Sequence, residues 1–268
     1  MRWFSDFPLE AKAAARFVEF FANCPDPVLK HTTLISSLEE RIAWTILGTT
    51  MFQGLSYSTF DSLFSSLIKA FPEDKLWRTP VPRARDLEKI LHSELGSFRW
   101  QLRQYFPGIF WSVGLFVRRH FPLSNWLSTR SSEELWRDLG EIYFMGKQAA
   151  RPKVCATIYR LISPMPYGLG LSCKQVSSNL PLPLSLGARR YLAFMGPAQN
   201  KNFSEMSPKQ KQDLANKFFT IISPNLPIAA SHAFQFFWES GAECFICREF
   251  TRNCKYCPLQ EFCKEASE

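Results

Sequence analysis

Apolar residues return at intervals of three and four along most of this chain, and nowhere settle into sustained alternation. In SYSTFDSLFSSLIKAF, Phe60, Leu63, Phe64, Leu67, Ile68 and Phe71 follow the i, i+3, i+4, i+7 rule, which gathers them on one helical face. Ser58 and Asp61 stand where a capping pair would begin that helix. Leu34, Leu38, Ile42 and Ile46 form a second stripe behind Ser36 and Glu39, and Ile109, Phe110, Val113, Phe116 and Val117 form a third. Further helices fit residues 8–22, 84–94, 132–140, 153–163, 207–221 and 228–240. No strand or hairpin pattern competes, so the periodicity predicts an all-α fold. Proline and glycine concentrate in SPMPYGLGLSCKQVSSNLPLP, from Ser163 to Pro183, which breaks the pattern and separates two helical groups.

With 268 residues, 46% of them hydrophobic, the chain has enough apolar material for a packed core. Its longest apolar run, PGIFWSVGLFV from Pro107, is far short of the roughly 20 residues that cross a bilayer, so no membrane association is expected. The first residues lack the apolar core and cleavage site of a secretory leader. A cytoplasmic location follows, nucleoid-associated in a bacterium, in which disulfides are not expected and Cys24, Cys155 and Cys173 read as buried or isolated thiols. The 15% aromatic content is assigned to the core rather than to stacking platforms.

The formal net charge of +8 points to an acidic partner. Its distribution is more informative, because no carboxylate occurs from Ile142 to Ser204. Lys147, Arg151, Lys153, Arg160, Lys174, Arg189, Arg190 and Lys201 all fall in that stretch. It reads as a surface facing phosphates, a solvated basic face being the alternative.

Near the C-terminal end, CREFTRNCKYCPLQEFC places Cys247, Cys254, Cys257 and Cys263 in a C-x6-C-x2-C-x5-C array. Intervals this short let one loop wrap four thiolates around a compact centre, and soft anionic sulfur suits zinc or an iron–sulfur cluster. Counting from Cys244 instead gives C-x2-C-x6-C-x2-C, which is similar to a small zinc ribbon but strands Cys263. Arg248, Arg252 and Lys255 put three cations on the same segment, where they can press on phosphates or offset the charge of the centre.

The array with its CPLQEFC ending resembles the cluster loop of the endonuclease III and adenine glycosylase branch of the helix-hairpin-helix DNA glycosylases. The resemblance implies a [4Fe-4S] cluster on Cys247, Cys254, Cys257 and Cys263, with zinc as the alternative. It extends in patches from about Leu34 to Cys263. YFMGKQAARPKVCATIYRLI, from Tyr143, is similar to the family hairpin, with Gly146 and Lys147 at its start but one glycine fewer and a longer turn. Lys153 falls where bifunctional members carry a Schiff-base lysine, an amine that attacks sugar C1′ once its pKa is lowered. The family's catalytic carboxylate falls on Ser185 in PLSLGARR, and its neighbouring basic position on Arg190. A hydroxyl does not stabilise an oxocarbenium-like sugar as a carboxylate does, and losing such a term costs roughly 3 kcal/mol. TTMFQGLSYST resembles the region whose glutamine fills the gap left by an extruded base, which maps to Gln53. HAFQFFWESGAEC resembles the helix entering the cluster.

The implied architecture is two helical lobes with a DNA-binding cleft: a six-helix-barrel-like lobe at 35–165 carrying the helix-hairpin-helix, and a cluster lobe built from 1–34 and 166–268. The implied function is DNA N-glycosylase or abasic-site lyase acting on a flipped base in double-stranded DNA, damaged or mismatched. Lys153 and Ser185 are its catalytic positions, and Gln53, Gly146, Lys147, Arg151, Arg189, Arg190, Arg248, Arg252 and Lys255 its DNA contacts. The alternatives are an inactive lesion-binding protein of the same fold and, on the Cys244 spacing, a structural zinc protein. A monomer is expected.

Overall fold

The computed structural model describes residues 7–22, 24–52, 55–72, 84–96, 100–146, 151–194 and 203–236. Those residues are helical, with no strand among them and a single isolated bridge between Ser131 and Gln175. The Cys-rich segment, with Cys247, Cys254, Cys257, Cys263, Arg248, Arg252 and Lys255, lies outside the described residues, as do Gln53 and Lys147.

The chain forms two units, one continuous from Pro25 to Leu180 and the other assembled from Met1–Cys24 and Pro181–Glu268. The boundaries differ from those drawn at 34/35 and 165/166. Residues 169–175 stay with the continuous unit because their backbone completes it: Leu169 N, Gly170 N and Leu171 N donate to Arg160 O, Ser163 O and Leu161 O, and Ser132 N donates to Gln175 O.

In the continuous unit, α1 (Phe7–Phe21) has no part. Here α2 (Leu29–Thr32), α3 (Leu38–Met51), α4 (Tyr57–Ala70), α5 (Ala84–Leu95), α6 (Trp100–His120), α7 (Leu123–Thr129), α8 (Ser132–Leu139) and α9 (Pro152–Ile162) follow in order. Helix α3 is the axis of the unit, touching α2, α6, α7 and α9, and every residue from Ile42 to Met51 is buried. Three threonines survive there because each hydroxyl bonds back one turn: Thr45, Thr49 and Thr50 donate to Arg41 O, Thr45 O and Ile46 O at 2.8 Å. Gly48 brings Phe64 and Val28 close to the helix backbone; a Cβ there would come within 2.6 Å of Phe64 Cζ.

Across α9, Arg160 reaches Asp26 through its Nε and Nη2, at 3.0 and 2.8 Å, and Thr49 Oγ1 through Nη1 at 3.3 Å. Asp26 Oδ1 also accepts from Val28 N and Leu29 N, so one buried carboxylate starts α2 and neutralises α9. Arg160 therefore leaves the basic surface expected of the stretch from Ile142 and faces the core: an ion pair with one residue 8% and the other 4% exposed is structural.

The loop after α9 passes over the end of that helix. A Cβ on Gly168 would collide with Ser163 O and lie 2.7 Å from Tyr159 O, both backbone atoms with no rotamer to relieve the clash. Gly168→Ala is expected to cost about 1–3 kcal/mol in urea unfolding. Gly114→Ala, inside α6 with nothing within 4 Å of the added carbon, is expected to be neutral or to stabilise by up to about 1 kcal/mol.

The second unit packs α12 (Pro227–Gln235) against α1, α10 (Leu186–Phe194) and α11 (Pro208–Ile222). Its core is aromatic. Phe234 stacks on Phe17 and Phe219 at 5.1 and 5.7 Å, lies 4.2 Å from Tyr191, and neighbours Phe218; Phe21 stacks on Phe236 at 5.7 Å. Among the described residues the aromatic rings are thus spent largely on packing, at separations that favour attraction. His232 is buried, with Nε2 2.9 Å from Cys24 O and Nδ1 2.9 Å from Gln235 Nε2. A carbonyl only accepts, so Nε2 carries the proton and Nδ1 receives one from Gln235. Cys24 is disulfide-bonded, which corrects its reading as an isolated thiol; Cys155 and Cys173 are free, so neither is its partner.

Candidate nucleic-acid interface

Helix α8 opens with a full capping box, Ser131 Oγ accepting from Glu134 N while Glu134 accepts from Ser131 N. It ends at Gly140, and α9 begins at Pro152, a residue suited to the first helical turn. Between the two helices Phe144 stands at φ +69° and Gly146 at φ +102°, and Arg151 at φ +31° leads into α9. Glycine is needed at 146, since an L side chain rarely adopts that backbone.

Arg151 does not project from this turn. Its guanidinium folds back beside Gly140, with Nη1 3.5 Å from Trp136 O, placing a cation at the C-terminal end of α8. Of the residues expected to meet phosphates, Gly146 and Arg151 share the turn between α8 and α9.

Lys153 is the most constrained cation of the site. From the first turn of α9 its Nζ donates to Thr50 O at 3.0 Å, in the last turn of α3, and to Phe144 O at 2.8 Å. The amine also lies 5.9 Å from the centre of the Phe144 ring. Burial disfavours the charged form and brings its pKa down to about 8. It therefore joins three segments and is neutral far more often than an exposed lysine. This proximity of α3 to the turn was not evident from spacing along the chain, because Thr50 and Lys153 are brought together only by packing of α9 on α3.

Ser185 belongs to the other unit and is the N-cap of α10: Ala188 N donates to its Oγ at 3.1 Å and Arg189 N to its carbonyl at 3.0 Å. Leu182 before it is tied down by Asn216 and Gln212, whose amide groups bond its N–H and C=O at 3.1 and 2.8 Å. Arg189 is exposed and Arg190 half-buried on the same helix. No apolar stripe marks α10 along the chain, since a proline-rich approach hides its start.

Among the described residues no group of three or more His, Cys, Asp or Glu side chains is arranged to hold a metal. No described helix is long and apolar enough to cross a membrane. Matched against known protein families the chain fits none, and no curated protein is significantly similar to it.

Proposed function

We propose that this chain binds duplex DNA and acts on a flipped base as an N-glycosylase and abasic-site lyase, with Lys153 as nucleophile. The observation that carries the reading is the desolvated amine at the start of α9, next to a glycine turn in an acid-free, cation-rich stretch of sequence. A neutral amine adds to the C1′ aldehyde of an abasic sugar; loss of water leaves a C=N bond, and subsequent proton abstraction from the sugar permits strand cleavage. For an intact nucleoside the same attack breaks the C1′–N bond, whose electrons leave with the base as it takes up a proton. Gly146, Lys147, Arg151, Arg189 and Arg190 belong to the DNA-contacting surface in this reading, with Gln53 filling the gap left by the base.

Cys247, Cys254, Cys257 and Cys263 would hold the [4Fe-4S] cluster, four sulfur donors being the set such a cluster takes, with zinc as the alternative. The cluster supplies a folded scaffold for the loop bearing Arg248, Arg252 and Lys255.

A second reading rests on Ser185. Its hydroxyl is engaged as a helix cap and is no carboxylate, which favours a lesion-binding protein without catalysis. The test combines iron and sulfide analysis with a panel of duplexes carrying single modified, mismatched or abasic sites. Four iron atoms per chain and borohydride-trapped adduct at one lesion are the expected result. Tight lesion binding without adduct or breaks selects the second reading, and bound zinc replaces the cluster assignment.

A further inference from the structure

The turn between α8 and α9 carries a feature that phosphate binding does not use. Tyr143, immediately before the strained Phe144, is 51% exposed although its position is held on several sides. Its N–H donates to Ser112 Oγ on α6 at 2.8 Å, and its ring lies over Gly108, where an added Cβ would be 3.2 Å from Cε1. The Phe144 ring meets it edge-on at 4.2 Å and is itself met by Tyr105 at 5.0 Å. One turn along α6 from Gly108 stands Trp111, 57% exposed, with Leu115 beyond it at 41%. Spacing of three and four places these residues on one face of α6. Arg118 and Arg119 follow on exposed positions at its end, Arg119 pairing with Glu141.

We infer that Tyr143 and Trp111 form a stacking ledge for unpaired nucleobases, so that the preferred DNA is interrupted by a gap, bulge or fork rather than continuously paired. The inference rests on the DNA-binding reading above and narrows its substrate class. Intact duplex buries the faces of its bases against one another and shows a protein only edges and backbone. An aromatic face gains from DNA only where that stack is broken. The Tyr143 ring already packs on Gly108 and Phe144, so less side-chain freedom is lost when a base settles on it. An apolar protein partner would fit the rings and Leu115 equally well. Arg118 and Arg119, exposed at the end of α6, and the absence of any carboxylate from Ile142 to Ser204 select a polyanion instead.

The test is fluorescence anisotropy at one fixed salt concentration, with a duplex containing a three-nucleotide gap and a fully paired duplex of equal length. Wild type is expected to prefer the gapped DNA. Tyr143→Ala and Trp111→Ala should each weaken that complex by about 5- to 150-fold and the paired complex by less than about twofold. Tyr143→Phe, which keeps the ring, should retain the gapped affinity. Thermal melts of all three variants check that they fold. Binding of both DNAs with equal affinity, or equal losses on both, overturns the ledge while leaving the DNA-binding reading intact; binding of neither overturns both. Alanine variants that dissociate a wild-type dimer in sedimentation and leave gapped affinity unchanged make the face a protein contact and also overturn the ledge.

Discussion

Replacing Arg160 with alanine is expected to lower the stability of the continuous unit by about 3–5 kcal/mol, measured by chemical denaturation. The loss exceeds that of a typical surface pair because Asp26 stays behind, buried and charged, after its guanidinium has gone. The pair itself need not be worth that much. Asp26→Asn combined with Arg160→Met removes both charges and leaves an amide oxygen to accept from Val28 N and Leu29 N, so most of the lost stability should return. A double variant as weak as Arg160→Ala would show that the Thr49 hydrogen bond or the side-chain volume, rather than an unpaired carboxylate, dominates.

The second large effect concerns reactivity. Lys153→Ala should abolish the borohydride-trapped adduct on abasic DNA, and Lys153→Arg, which keeps a cation without a usable nucleophile, should abolish it too. The pH dependence separates this from a loss of DNA binding. A lysine with pKa near 8 is about one-tenth neutral at pH 7 and about nine-tenths neutral at pH 9. Its lowered pKa means that the reactive form gains as pH rises, so single-turnover trapping at saturating protein should increase about tenfold between those values and then level off. An ordinary lysine would still be climbing at pH 10. Full trapping by Lys153→Ala removes this amine from the mechanism and reduces it to a tie between Thr50 and Phe144.

Much of the helical architecture was legible because its apolar stripes are long. The stripe from Phe60 to Phe71 falls on α4 and its cap, and the expected helices at 84–94, 132–140, 153–163 and 207–221 coincide with α5, α8, α9 and α11 within a residue or two. Caps were read one or two residues astray. Ser37 and Ser56, not Ser36 and Ser58, accept from Glu40 N and Thr59 N, in each case one of several nearby serines with the same chemistry. Asp61, taken for a cap partner, instead bonds His31 and Lys30 at 2.7 and 3.1 Å, a pairing thirty residues distant and invisible to local pattern. Helix α6 runs through Pro107, from Trp100 to His120. A proline forfeits one hydrogen bond and crowds the preceding turn, a penalty that burial of Phe106, Ile109, Phe110 and Val113 around it offsets. The short helices α2 and α7 offer too few turns for a stripe to emerge.

The site was legible by residue type more than by role. Lys153 was marked by its position, but its carbonyl partners are tertiary, and Arg151 was expected to face phosphate while its guanidinium lies at the end of α8. Gly146 was recognisable because a turn that requires positive φ leaves glycine in the sequence.

The division of the chain imposes an order on its own synthesis. Helix α1 leaves the ribosome before the continuous unit, yet the helices that cover Phe17 and Phe21 begin only after Pro181, so those rings await their distant neighbours while the whole of Pro25–Leu180 is translated. At about 5–20 residues per second that wait is on the order of ten seconds, long enough for the continuous unit to fold around α3 before the other can close. An early aromatic helix left waiting exposes its rings to self-association until the second unit closes over them.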